Sequence, residues 1–335
     1  MSNTVTDAPA GDAAVPEETA SRSSWSSVFA MSVCAFALIA SEFLPVSLLT
    51  PIASDLRITE GMAGQGIAIS GAFAVLTSLF ISVLAGGLNR KTLLLGLTAA
   101  MGASGAVIGW RGAFLCLVPV ALVTLAWQWM TLPSMHAAAR ARGIGNAFKV
   151  FTLFKRPGVT VGMLASSLLF MGQFSLFTYV RPFLETVTDV HGAAISLVLL
   201  VIGAAGFIGT VLIGRVLQRG FFQTLIAIPL LMALIALALI AFGEWTAAVV
   251  ALLGVWGLAG TSAPVGWWAW IAKVFPKDAE AGGGLFVAVV QLSIALGSTL
   301  GGLLFDHSGY QSTFMFSAVL LAVCAILTAL TRKST

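Results

Sequence analysis

P-S-M-H-A-A-A-R-A-R-G-I-G-N-A-F-K-V-F-T-L-F-K-R-P, residues 133–157, is the stretch that decides how this chain is built. It carries Arg140, Arg142, Lys149, Lys155 and Arg156 and no acid, and apolar runs of membrane-spanning length flank it on both sides. Lys and Arg are retained on the cytoplasmic side of a membrane, so a basic strip between two apolar blocks reads as a cytoplasmic linker joining two halves. A nucleic-acid-binding patch would have a similar charge, but the surrounding sequence is too apolar to belong to a soluble nucleic-acid partner.

Working outward, 59% of the 335 residues are apolar and 9% are charged. Soluble domains carry about 25% charged residues. The polar groups here cannot cover a water-soluble globule, so the fold class is an all-α polytopic membrane protein. Its surroundings are then the lipid bilayer, with no nucleic-acid partner; a small-molecule substrate is expected only if the chain is a transporter. Cys34, Cys116 and Cys324 all fall in apolar runs without metal or disulfide spacing. Residues 1–24 are polar and read as a disordered tail without signal-peptide features.

Ten apolar runs follow, near 26–50, 65–88, 91–110, 112–132, 158–180, 192–213, 221–242, 246–271, 282–304 and 310–330. Each matches the ~20 helical residues that cross a bilayer. An even count puts both termini on one face. With both in the cytoplasm, 14 of the 17 basic residues lie inside, and only Arg57, Arg111 and Arg181 lie outside. That asymmetry orients the chain, in a bacterial cell the inner membrane.

Two signatures occur once per half and in the same order. G-G-L-N-R-K (Gly86 to Lys91) parallels G-R-V-L-Q-R (Gly214 to Arg219), and G-W-R-G-A-F (Gly109 to Phe114) parallels G-Y-Q-S-T-F (Gly309 to Phe314). The chain is therefore a tandem duplication of the kind transporters use. The spacings differ: 309 − 214 = 95 in the second half and 109 − 87 = 22 in the first. The first half is short by about 73 residues on this count, enough for two spans. The run at 91–110 reads as the front of one helix joined to the back of another near Met101 and Gly102. The expected domains are a shortened bundle of four helices over 25–132, the linker, and a six-helix bundle over 158–331.

Several stretches resemble the major facilitator superfamily in its drug:proton antiporter branch. They are E-F-L-P-V-S-L-L-T-P-I-A-S-D-L (Glu42 to Leu56), G-W-R-G-A-F, F-T-Y-V-R-P-F-L-E (Phe177 to Glu185), P-V-G-W-W-A-W (Pro264 to Trp270) and A-V-V-Q-L-S-I-A-L-G (Ala288 to Gly297). The first and the last three are most similar to bacterial purine ribonucleoside efflux pumps. The resemblance implies a two-bundle carrier of 12 helices, of which about 10 (4 + 6) are present. The family's fourth helix and most of its fifth have no counterpart, and Asn89 stands where the family's first basic turn has an aspartate. Two expectations follow: proton-coupled efflux of small molecules such as purine ribonucleosides or drugs, or a membrane-inserted variant that has lost transport with its missing helices.

Glu42 is the one acid inside an apolar run. A carboxylate in hydrocarbon costs a few kcal/mol and usually faces a cavity, so Glu42 is the candidate for proton coupling; the alternative is an interfacial anchor. Gln173 and Gln291 lie mid-run, where an amide suits a purine edge or ribose hydroxyl or else an interhelical hydrogen bond. Tyr179 and Arg181 close the fifth run as substrate-binding candidates, with an interfacial anchor as the other role for Tyr179. Trp267, with Trp268 and Trp270, follows Pro264-Val265-Gly266, read here as a helix break bordering a site. These indoles would either stack on a purine or form an aromatic belt. Gly102-Ala103-Ser104-Gly105 has the form of an intramembrane serine hydrolase, but His136, His191 and His307 lie in loops, so a base is missing. No phosphate loop or metal cluster appears, and no cofactor is expected.

Overall fold

A computed structural model describes residues 26, 29–34, 44–84, 91–99, 117–131, 157–276 and 279–334. The elements are α1 (Leu49–Leu56), α2 (Glu60–Leu84), α3 (Leu117–Thr131), α4 (Pro157–Phe177), α5 (Val180–Thr186), α6 (Ala193–Arg219), α7 (Phe221–Phe242), α8 (Thr246–Val274) and α9 (Ala279–Ser334). Residues 29–34, 44–47 and 91–99 are also helical. Among the described residues there is no strand, as expected where backbone polar groups must be satisfied within each segment. The all-α fold class holds. Five helical segments among them are long and apolar enough to cross a membrane: Gly158–Thr186, Ala193–Arg219, Phe221–Phe242, Thr246–Val274 and Gly282–Arg332. The central linker, Asn89, the junction near Met101 and Ser104 lie outside the described residues.

Contacts divide the chain into two units, residues 1–41 with 88–137, and residues 42–87 with 138–335. In the first unit, Thr98 is a polar hub. Its hydroxyl donates to Leu94 O (2.9 Å) and Gln128 Oε1 (3.2 Å), and lies 3.5 Å from Cys34 Sγ. Trp127 Nε1 donates to Ser26 Oγ at 2.9 Å, and Lys91 Nζ to Trp129 O at 2.9 Å. Hydrogen bonds of this kind replace hydrophobic burial as the adhesive between helices in lipid.

In the second unit, the 56 residues of α9 form two arms. Gly309 adopts φ 78°, ψ 177°, a region open essentially to glycine alone, and the helix reverses there. Thr313 Oγ1, on the second arm, donates to Gly301 O on the first at 3.0 Å. Both arms pack on α4. On the first arm, Ser298 Oγ pairs with Thr178 Oγ1 at 3.0 Å and Ser293 Oγ with Ser167 Oγ at 2.7 Å. On the second, Ser317 Oγ donates to Gly172 O at 2.6 Å. Thr178, Ser293, Ser298 and Ser317 are buried and Ser167 is half-buried, so the ladder is largely shielded from water.

The first apolar run does not continue as one helix to residue 50. The backbone turns at Leu48, and α1 restarts at Leu49. Helix α1 ends in a Schellman arrangement, with Arg57 at φ 56° and Ile58 N donating to Ala53 O at 3.0 Å. Thr59 then caps α2 by accepting from Met62 N at 3.1 Å, so α2 begins at Glu60.

Helix α8 corrects a second expectation. It runs unbroken through Pro264 from Thr246 to Val274. Proline removes the N–H that would bond the carbonyl four residues back, here Gly260 O. Gln173 Nε2 of α4 donates to that carbonyl instead, at 3.4 Å. The orphaned acceptor is satisfied from a neighbouring helix, which is how membrane helices tolerate proline. The same device occurs at α1. Pro51 leaves Ser47 O without its helical donor, and Arg181 Nη1 donates to it.

Candidate functional site

Helices α4 and α8 run antiparallel, with Gly162 beside Trp270 at one level and Gln173 beside Gly260 at another. A Cβ on Gly260 would come within 3.1 Å of Gln173 Nε2, so glycine makes the space the amide occupies. Spacings of three and four residues put Trp256, Gly260, Ala263, Trp267 and Trp270 on one face of α8. Trp256, Trp267 and Trp270 are each 1% exposed. Trp267 and Trp270 meet edge to face at 5.5 Å. They belong to the bundle interior rather than to an aromatic belt, while Trp268 faces out, 45% exposed, with Phe286 against it at 5.1 Å.

Three polar atoms at this contact are buried and lack a hydrogen-bond partner: Gln173 Oε1, Trp256 Nε1 and Trp270 Nε1. Such atoms are few in native structures and call for an explanation. Gln173 is 7% exposed. One end of its amide is held by Gly260 O and the other offers a lone pair to whatever enters. Trp256, one turn from Gly260, offers a donor. The sequence reading missed Trp256, although its place eleven residues before Trp267 on the same helix face was there to be read.

The other candidates are occupied with structure. Tyr179 Oη donates to Ser298 O at 2.7 Å, and its ring stacks on Phe305 at 5.2 Å. Its hydroxyl fills the space above Gly64 and Gly302, where a Cβ on either would collide with it. Arg181 Nε donates to Glu185 Oε1 at 2.9 Å, and Nη1 to Ser47 O. Gln291 is half-buried on the first arm of α9, and its backbone carbonyl faces Gly71 of α2. Glu42 lies outside the described residues. The structure thus brings Gln173 to the α8 indole face that bears Trp267. It places Tyr179 and Arg181 about two turns further along the chain, where Tyr179 Oη and Arg181 Nη1 make tertiary hydrogen bonds.

A bundle of apolar helices with buried polar groups on facing helix surfaces defines a multi-pass membrane protein of the transporter class. The description "Major Facilitator Superfamily" matches residues 95–282 and 230–335, and the chain belongs to that family. It is 66% identical to the protein named "Transcription regulatory protein OpdE" of Pseudomonas aeruginosa, over 93% of this chain and 94% of that one. It is 34% identical to the "Purine ribonucleoside efflux pump NepI" of Salmonella enteritidis, over 92% and 94%. The crystal structure of the human organic anion transporter MFSD10 superposes with a TM-score of 0.65 at 14% identity, covering 94% of this chain and all of that one, a likeness of fold.

The alignment with the Pseudomonas protein extends over 380 residues, more than the 335 present here. Since 93% of 335 is about 312, about 68 aligned positions (380 − 312) face gaps in this chain. That is close to the deficit of about 73 read from the spacing of the repeated signatures.

Proposed function

We propose that the chain is a proton-coupled efflux carrier of the bacterial inner membrane, with both termini cytoplasmic, that exports small amphipathic molecules with purine-nucleoside-like hydrogen-bonding edges. The observation that carries this reading is the free, buried Oε1 of Gln173 opposite an indole-lined helix face, in a chain 34% identical to a named purine ribonucleoside pump. The exocyclic amine of a purine donates to Gln173 Oε1, the ring packs on Trp267, and a ring nitrogen accepts from Trp256 Nε1. Gln291 and Tyr179 extend the surface toward the outer end, and Arg181, bonded to Glu185 and Ser47 O, borders it without touching substrate. Glu42 takes up the exchanged proton.

Binding is tested by thermal unfolding of the purified full chain, since a ligand stabilises the state it binds. Adenosine and guanosine are expected to raise the Tm by a few degrees at about a hundred times Kd, inosine, which lacks the exocyclic amine, by less, and Trp256→Phe to reduce the shift for ligands with an acceptor edge. No shift with any purine nucleoside rejects the substrate class. Nucleoside transport in proteoliposomes driven by an imposed pH gradient, lost in Glu42→Gln while counterflow persists, tests coupling.

The missing stretch of about 68 positions favours a second reading, a membrane-inserted variant without transport, which any saturable counterflow excludes. The name of the Pseudomonas relative fits the first reading as well. A carrier that lowers the internal concentration of an inducer changes transcription without touching DNA.

A further inference from the structure

Segment 42–87 is tied to the C-terminal helices by two sets of hydrogen bonds at one end of the bundle. In the first, the Asp306 carboxylate of α9 accepts from Thr59 Oγ1 (2.6 Å) and from Gly61 N (3.1 Å), at the start of α2. In the second, Arg181 Nη1 donates to Ser47 O. Both sit near the Gly309 reversal, as the contacts of Phe183 with Tyr310 (5.2 Å) and of Tyr179 with Phe305 (5.2 Å) show. Between them α2 and α9 approach with almost no side chain intervening. A Cβ on Gly302 would lie 2.9 Å from Gly61 Cα, and one on Gly71 3.0 Å from Gln291 O.

These ties differ in kind from the α4–α9 ladder. Thr59 and Asp306 are exposed, and the side chains of Arg181 and Glu185 are 20% and 15% exposed. Water can replace each partner when they part, at small net cost. Breaking the shielded hydroxyl pairs of α4 and α9 would strand buried polar groups. Glycine-lined surfaces separate without leaving interlocked side chains behind. The weak seam of the second unit therefore runs between segment 42–87 and α9, and it is fastened at one end by Asp306 and Arg181.

We infer that Asp306 and Arg181 are positioning residues of an outer gate: their ties to Thr59, Gly61 and Ser47 hold that end shut and must open during the transport cycle. Their assignment to the outer face rests on the orientation proposed above. Neither residue touches substrate in this scheme.

The test uses the full chain in intact cells, with Cys34, Cys116 and Cys324 replaced by alanine and Ala295→Cys as the reporter. Ala295 is 7% exposed and faces Gly71 of α2 across the seam, about three turns below Asp306 on the same arm. A membrane-impermeant maleimide is expected to react slowly in this background and about fivefold faster or more when Asp306→Ala or Arg181→Ala is added. Asp306→Asn keeps an acceptor oxygen and should stay near the parent rate. The pair Thr59→Cys with Asp306→Cys is expected to form a disulfide on mild oxidation and to slow labelling below the parent, with reversal by reductant. Rates unchanged in both alanine variants, or a cross-linked pair that labels as fast as the open form, overturn the gate. Acceleration seen only in inverted vesicles would keep the gate and overturn the orientation. Loss of counterflow with accelerated labelling intact would overturn the transport reading alone.

Discussion

Gly297→Ala is expected to destabilise the protein by about 3 kcal/mol, the upper part of the range for overpacking a tight contact. A Cβ there would drive into Met171 O and lie 3.0 Å from Met171 C and Cα. These are backbone atoms of α4, so no side-chain rotation relieves the overlap. A Cβ on Gly301 would likewise lie 2.7 Å from Ser175 O, so the two helices have no room to yield over two turns. Parting them stretches the Thr178–Ser298 and Ser167–Ser293 bonds (3.0 and 2.7 Å). Unfolding in mixed detergent micelles measures the effect. Gly203→Ala on α6, where an added Cβ meets nothing within 4 Å, is the control and should be neutral or slightly stabilising. A Gly297→Ala protein as stable as the control would mean that α4 and α9 are not in contact at this depth.

Gly297 also shows what could be read from the chain and what could not. Ala288 to Gly297 contributed to the family resemblance, but the residues that Gly297 and Gly301 pack against lie on α4, more than a hundred residues away. Among the described residues from 157 onward, hydropathy located the helices well because a membrane span needs only length and apolar content. The reversal at Gly309 was legible for a local reason, the Gly-aromatic signature beside it. Which way the side chains face was not legible. Helix α8 is apolar all round, so Trp267 and Trp270, which point inward, and Trp268, which points out, have the same surroundings in the sequence. The helix break expected at Pro264 failed for a related reason. The orphaned carbonyl at Gly260 follows from the proline alone, but the donor that rescues it comes from Gln173, 87 residues earlier. Arg181 and Ser47, 134 residues apart, repeat the pattern, and so do Thr59 and Asp306.

The coupling between Gln173 and Pro264 gives the second large effect. In the parent protein, Gln173→Ala strips the donor from Gly260 O, and Pro264 has no N–H to replace it. A buried carbonyl left unpaired costs about 2 kcal/mol, in addition to the loss of the side chain's packing. In a Pro264→Ala background the new N–H bonds Gly260 O along the helix. The same Gln173→Ala change should then cost only the packing. The double-mutant cycle is expected to return a coupling of about 1.5 kcal/mol. A coupling within about 0.5 kcal/mol of zero, the scatter for independent sites, would mean that the amide does not serve the carbonyl. The cycle also separates the two jobs of Gln173, because its Oε1 takes no part in the bond to Gly260. Pro264→Ala alone frees Nε2 from its duty and lets the amide turn. A ligand that depends on Oε1 being held in place should then bind more weakly, even though the protein itself is no less stable. Loss of the nucleoside-induced rise in Tm in Pro264→Ala, with the parent melting temperature kept, is the expected mark of an amide that the proline aims.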